Sequence, residues 1–134
     1  MNTPDSHPLD TEFNSAQIDH WVALGTEIAR EAHFGETRAD QTTPYVTHPI
    51  EVARRVRARA EKDGEIPRFI LIATLAALFH DIPENQPDFP LRERVVQMGL
   101  PPIFPNAVLL AVEKLTNTNK DDYLDYLLEL KDRG

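Results

Sequence analysis

Two short runs hold residues whose types and spacing could do chemistry: Thr47-His48-Pro49 and Phe79-His80-Asp81-Ile82-Pro83-Glu84-Asn85. A histidine beside an aspartate, joined by a second histidine from a separate helix, supplies two neutral imidazoles and a carboxylate. Such a set suits a divalent metal with positions left open for water and substrate, and the chemistry it implies is metal-assisted hydrolysis. His80-Asp81 alone is weak evidence in a chain with five histidines and 22 acidic residues. Its weight depends on its surroundings and on the elements that hold it.

Those elements read as helices. Asn14, with Gln17 three residues later, can cap a first helix with an apolar face of Ile18, Trp21, Val22, Ile28, Ala29 and Ala32, and Gly35 is a natural stop. Glu36 to Thr47 has no clear period and reads as a loop. Pro49 suits the first position of a second helix carrying Ile50, Ala53, Val56 and Ala60 and ending at Gly64. Pro67 opens a third, whose run from Phe69 to Phe79 is apolar on nearly every face, as in a helix at the centre of a core. A buried strand is the rival for that run, but its length and its Ala and Leu content favour helix. Pro83 should end this helix and bias Ile82 toward extended backbone. Further helices are expected at Leu91 to Met98, Asn106 to Leu115 and Asp121 to Lys131, and residues 1–13 read as a mobile tail. The expectation is one all-α domain over residues 14–134.

Composition narrows the function classes. The chain of 134 residues has no Cys, so disulfides, thiolate ligands and a cysteine nucleophile are excluded. A formal charge of -8 opposes nonspecific DNA or RNA binding, which depends on neutralising phosphates with Lys and Arg. The longest apolar stretch falls short of the roughly 20 residues of a membrane span, and the N-terminus has no basic and apolar leader pattern. A cytoplasmic protein without membrane contact is therefore expected, and a small anionic substrate stays open wherever positive charge is local.

Three ordered runs, Ala32-His33-Phe34-Gly35-Glu36-Thr37-Arg38, Pro44-Tyr45-Val46-Thr47-His48-Pro49-Ile50-Glu51-Val52-Ala53 and Ala76-Ala77-Leu78-Phe79-His80-Asp81-Ile82-Pro83-Glu84-Asn85, resemble the HD superfamily of metal phosphohydrolases. More narrowly they are similar to the hydrolase domain of RelA/SpoT-type enzymes and their small single-domain relatives. Leu115-Thr116 and Asp122-Tyr123-Leu124-Asp125-Tyr126 stand in the order of those relatives. The resemblance implies a compact multi-helix HD bundle that uses manganese to remove the 3′-pyrophosphate from guanosine tetra- and pentaphosphate. It implies His48, His80 and Asp81 as metal ligands, Glu84 as the group that handles protons at the reacting phosphate, and Arg38 as a contact to the nucleotide. His33 matches as a structural hydrogen-bonding residue near the site.

Two departures from that family stand out. Its Glu-Asp pair after the His-Asp pair is here Glu84-Asn85, and an amide can orient water or donate a hydrogen bond but cannot accept a proton as a carboxylate does. Asn85→Asp is therefore expected to raise activity. Its fourth ligand, an Asp on a further helix, has no matching run before Gly134, so a site completed by a local acid such as Glu84 or by chain beyond Gly134 is expected. Arg54, Arg55, Arg57 and Arg59 make the second helix locally basic. They either steer a polyphosphate or form a solvated helix face.

Overall fold

Asn14 and Gln17 form a reciprocal cap in the computed structural model, which describes residues 14–116. The Gln17 amide donates to Asn14 Oδ1 at 2.8 Å, and the Asn14 amide donates to Gln17 Oε1 at 3.0 Å. Two of the backbone donors left over at a helix start are thereby satisfied. The helix they open, α1, runs Ser15–Ala32 and buries Ile18, Gly25, Ile28, Ala29 and Ala32, close to the stripe the sequence predicts.

The second helix, α2, spans Thr47–Lys62 and starts two residues earlier than Pro49 suggests. Tight turns explain the difference. Thr47 N–H donates to Pro44 O at 3.2 Å and His48 N–H to Tyr45 O at 2.9 Å, so the chain is already coiled before Ile50 makes its bond to Val46 O at 3.1 Å. Pro49 then falls within the first turn, where its missing N–H costs nothing. Gly64, with φ of +72°, takes the left-handed conformation beyond the helix end.

Pro67 sits in the first turn of α3, Pro67–Phe79, in which Leu71 and every residue from Ala73 to Phe79 are buried. That all-round burial is the reason the run lacks an amphipathic period. α3 packs against α2, α1 and α6 (Phe104–Thr116), and α6 also meets α5 (Leu91–Val96). At Gly25 the α1 backbone approaches α3 so closely that a Cβ there would lie 2.8 Å from Leu75 Cδ2.

One expectation is corrected between α3 and α5. Ile82 is not extended: it begins a single helical turn, α4, spanning Ile82–Asn85. Pro83 is within the first turn of this new helix, where no intrahelical donor is required, and Asn85 N–H reaches Asp81 O at 2.9 Å. The described residues are thus all-α, with one isolated bridge between Thr37 and Pro44. None of their helices is long and apolar enough to cross a membrane. The expected tail over 1–13 and the expected helix from Asp121 to Lys131 lie outside the described residues.

Candidate metal centre

His80 and Asp81 occupy the hinge between α3 and α4, and His48 the first turn of α2. Because α3 packs along α2, these three side chains meet. His80 Nε2 is 3.1 Å from Asp81 Oδ2, His48 Nε2 is 3.5 Å from the same oxygen, and the two imidazole centroids are 5.7 Å apart. One donor atom from each lies within 4.8 Å of the others. Among the described residues this is the one such group, and Glu84 does not join it.

The donor set fits a cation for a specific reason. His80 Nδ1 lies 2.5 Å from Ala77 O, and a carbonyl only accepts, so this nitrogen carries the proton. In the neutral ring, Nε2 is then a lone pair facing the Asp81 carboxylate. Two acceptors at 3.1 Å in a site where His80 is fully buried and Asp81 nearly so repel each other unless positive charge stands with them. A divalent metal or a second ring proton would supply it. Holding the outer imidazole nitrogen on a backbone carbonyl is also how histidine ligands are oriented toward metals.

Asp81 has a further partner that sequence reasoning missed. Tyr45 donates its hydroxyl to Asp81 Oδ2 at 2.7 Å, while its ring lies 4.9 Å from that of His33 and 5.8 Å from that of His48. Burial, followed by the hydrogen bond to Asp81 and its negative charge, pushes the phenol up to about 12, with the Asn85 amide at the same hydroxyl pulling the other way. Tyr45 therefore remains a hydrogen-bond donor throughout the neutral range.

Beyond Tyr45 the network turns on Glu36, also missed. Oε1 accepts from His33 Nδ1 at 2.9 Å and from Gln86 Nε2 at 3.0 Å, and Oε2 accepts from Asn85 Nδ2 at 2.9 Å. His33 is itself buried. The available signal was weak: Glu36 directly follows the Gly35 stop of α1 and lies three positions from His33, but its partners Asn85 and Gln86 are 49 and 50 positions away.

Arg38 and Glu84 are both exposed and do not belong to the trio. The loop that carries Arg38 is nonetheless well built. Arg38 N–H donates to Thr43 O at 2.9 Å, Gln41 N–H donates to Arg38 O at 2.8 Å, and Asp40 Oδ1 accepts from the Thr42 and Thr43 amides at 3.0 and 2.9 Å. These contacts with the Thr43 hydroxyl, the largest influence, hold the Asp40 carboxyl down to about 2. The loop leads directly into Tyr45 and His48. Beside Glu36 a cavity of about 360 Å³ opens, lined by Arg30, His33, Phe34 and Thr37 among others, with Phe34 90% exposed.

The basic stripe on α2 is largely neutralised. Arg54 and Arg55 pair with Glu51 at 2.6 and 3.3 Å, Arg57 with Asp19 at 2.6 Å and with Glu61 at 3.2 Å, and Arg59 with Asp63 at 3.1 Å. This is a solvated, ion-paired face, which leaves little field for steering. Comparison with protein-family models, curated proteins and solved structures gives no match for this chain.

Proposed function

We propose that this chain is a cytoplasmic, metal-dependent phosphohydrolase of a small nucleotide, similar to HD-type guanosine-3′,5′-bis(diphosphate) 3′-pyrophosphohydrolases, with manganese the first choice of ion. The observation that carries the reading is the approach of His48 Nε2 and His80 Nε2 to one buried carboxylate, at 3.5 and 3.1 Å. His48, His80 and Asp81 would hold the ion. When bound, a divalent ion supplies Lewis acidity toward water and a phosphoryl group.

The chain's own residues account for the other needs of such a reaction. Asp81 is kept in place by Tyr45. Glu84, exposed on α4 three residues beyond Asp81, would handle protons at the reacting phosphate. Arg38 offers a guanidinium to phosphate or base, and the exposed Phe34 ring beside the 360 Å³ cavity offers a stacking face to a base. A second reading rests on Asn85, whose amide is committed to Glu36 where the resembled enzymes have a carboxylate. It is a domain that binds a nucleotide or a partner protein without turnover.

The test is pyrophosphate release from guanosine tetraphosphate with added manganese, beside a panel of other nucleotides and phosphoesters. Multiple turnovers that His48→Ala abolishes support hydrolysis, and the panel fixes the substrate. Tight nucleotide binding with no product would replace the hydrolase reading by the binding-domain reading.

A further inference from the structure

The Asn85 amide and the Glu36 carboxylate meet across 49 positions of sequence. Glu36 Oε2 and Asn85 Nδ2 are 2.9 Å apart, the Tyr45 N–H donates to Glu36 O at 2.8 Å, and the Tyr45 hydroxyl donates to Asp81. Hydrogen bonds thus run from Glu36 to the Asn85 side chain and from the Asn85 N–H to Asp81 O at 2.9 Å, the backbone of the residue whose carboxylate belongs to the candidate metal centre. Direction matters along this path. A carboxylate accepts only, so it must be met by the amide nitrogen, and the Asn85 Oδ1 atom is thereby turned away from Glu36. The other two donors on Glu36, from His33 and Gln86, keep it from rotating: three N–H groups converge on its two oxygens.

We infer that Glu36 is a positioning residue for the site, and that Glu36 and Asn85 form one acid–amide pair whose members can be exchanged only together. The inference rests on the hydrolase reading for its effect on rate but not for its effect on folding. It reverses the expectation from sequence that Asn85→Asp alone raises activity. An aspartate at 85 would set a second carboxylate against Glu36 at hydrogen-bond distance, and like charges so close cannot both ionise without cost. Glu36→Gln alone leaves three donors facing a group with a single acceptor oxygen. Glu36→Gln with Asn85→Asp restores one carboxylate and one amide across the same contact.

A double-mutant cycle tests this with four proteins: the unaltered chain, Glu36→Gln, Asn85→Asp and the double variant. Each is followed by thermal unfolding without metal or nucleotide, and by hydrolysis of guanosine tetraphosphate at saturating manganese. Each single variant should unfold at a lower temperature and lose about tenfold or more in kcat, with KM within about threefold, since a misaimed group costs rate more than binding. The double variant should recover both the melting temperature and most of kcat. Additive losses in the double variant would overturn the pairing. Recovery of melting temperature without recovery of kcat would make the pair purely structural and overturn the positioning role. If the unaltered chain shows no turnover, the hydrolase reading fails, and the unfolding cycle alone decides whether the two residues are coupled.

Discussion

Tyr45 donates its hydroxyl to Asp81 at 2.7 Å across 36 positions of sequence. The tyrosine is in the loop before α2 and the aspartate in the hinge after α3, so this bond ties the element carrying His48 to the element carrying His80. It also engages Oδ2, the oxygen that both imidazoles approach. The aim of the carboxylate is thus set by a group outside the trio.

Tyr45→Phe removes that bond while keeping the ring between His33 and His48. Manganese affinity should fall about 10- to 100-fold, the usual scale for loss of a group that orients a metal ligand, and stability by about 1 kcal/mol, since the tyrosine is only partly buried. The pH dependence has a definite sign. The phenol is raised in the folded protein from an ordinary 10.0 to about 12, so in metal-free protein its contribution is complete below pH 10.0 and disappears as pH climbs through about 12. Ultraviolet titration of tyrosine should show one late-ionising phenol that Tyr45→Phe deletes. Equal metal affinity in the two proteins would show that Asp81 is aimed without Tyr45.

Asp40 organises the loop that carries Arg38. Its carboxyl is held at about 2, chiefly by the Thr43 hydroxyl and then by the Thr43 and Thr42 amides. With a depressed value, its contribution to loop order is complete above the ordinary 3.8 and is lost as pH falls through about 2. A carboxyl-detected titration should place Asp40 near the lower value, and Asp40→Ala should speed amide exchange at Thr42 and Thr43. A midpoint at the ordinary value would mean that the loop does not form these bonds in solution.

Gly25→Ala measures how tightly α1 lies on α3. Alanine gains about 1 kcal/mol over glycine in helix propensity, but its Cβ would meet Leu75 Cδ2 at 2.8 Å and Leu78 Cδ1 and Phe79 Cζ at 3.3 Å. Those three side chains are buried and have little room to move, and overpacking of this kind costs about 1–3 kcal/mol. A net loss of about 1 kcal/mol is expected from denaturant unfolding. A gain in stability would show that the two helices separate easily.

Most of the fold was legible because its signals are local. The Asn14–Gln17 cap, Pro67 at the start of α3 and the unbroken apolar run to Phe79 each follow from a few neighbouring residues. The start of α2 was missed by two residues because the turn from Pro44 to Thr47 is made by backbone bonds that leave no mark on side-chain pattern. Ile82 was misread because Pro83 both ends one helix and suits the first turn of the next. At the site, the trio was readable as ligand chemistry, whereas Tyr45 and Glu36 became visible only when α2, α3 and the loop before α2 were brought together. Their partners Asp81, Asn85 and Gln86 lie 36 to 50 positions away, beyond any periodicity.

Manganese titration of the purified chain, followed by the electron paramagnetic resonance of the free ion, addresses the candidate centre most directly. Binding of one ion should weaken at least tenfold in His48→Ala, a half-buried residue whose loss leaves the core intact, and likewise in His80→Ala, with helicity by circular dichroism retained. Unchanged affinity in both variants, or no manganese binding by the unaltered chain, would contradict a metal centre at His48, His80 and Asp81.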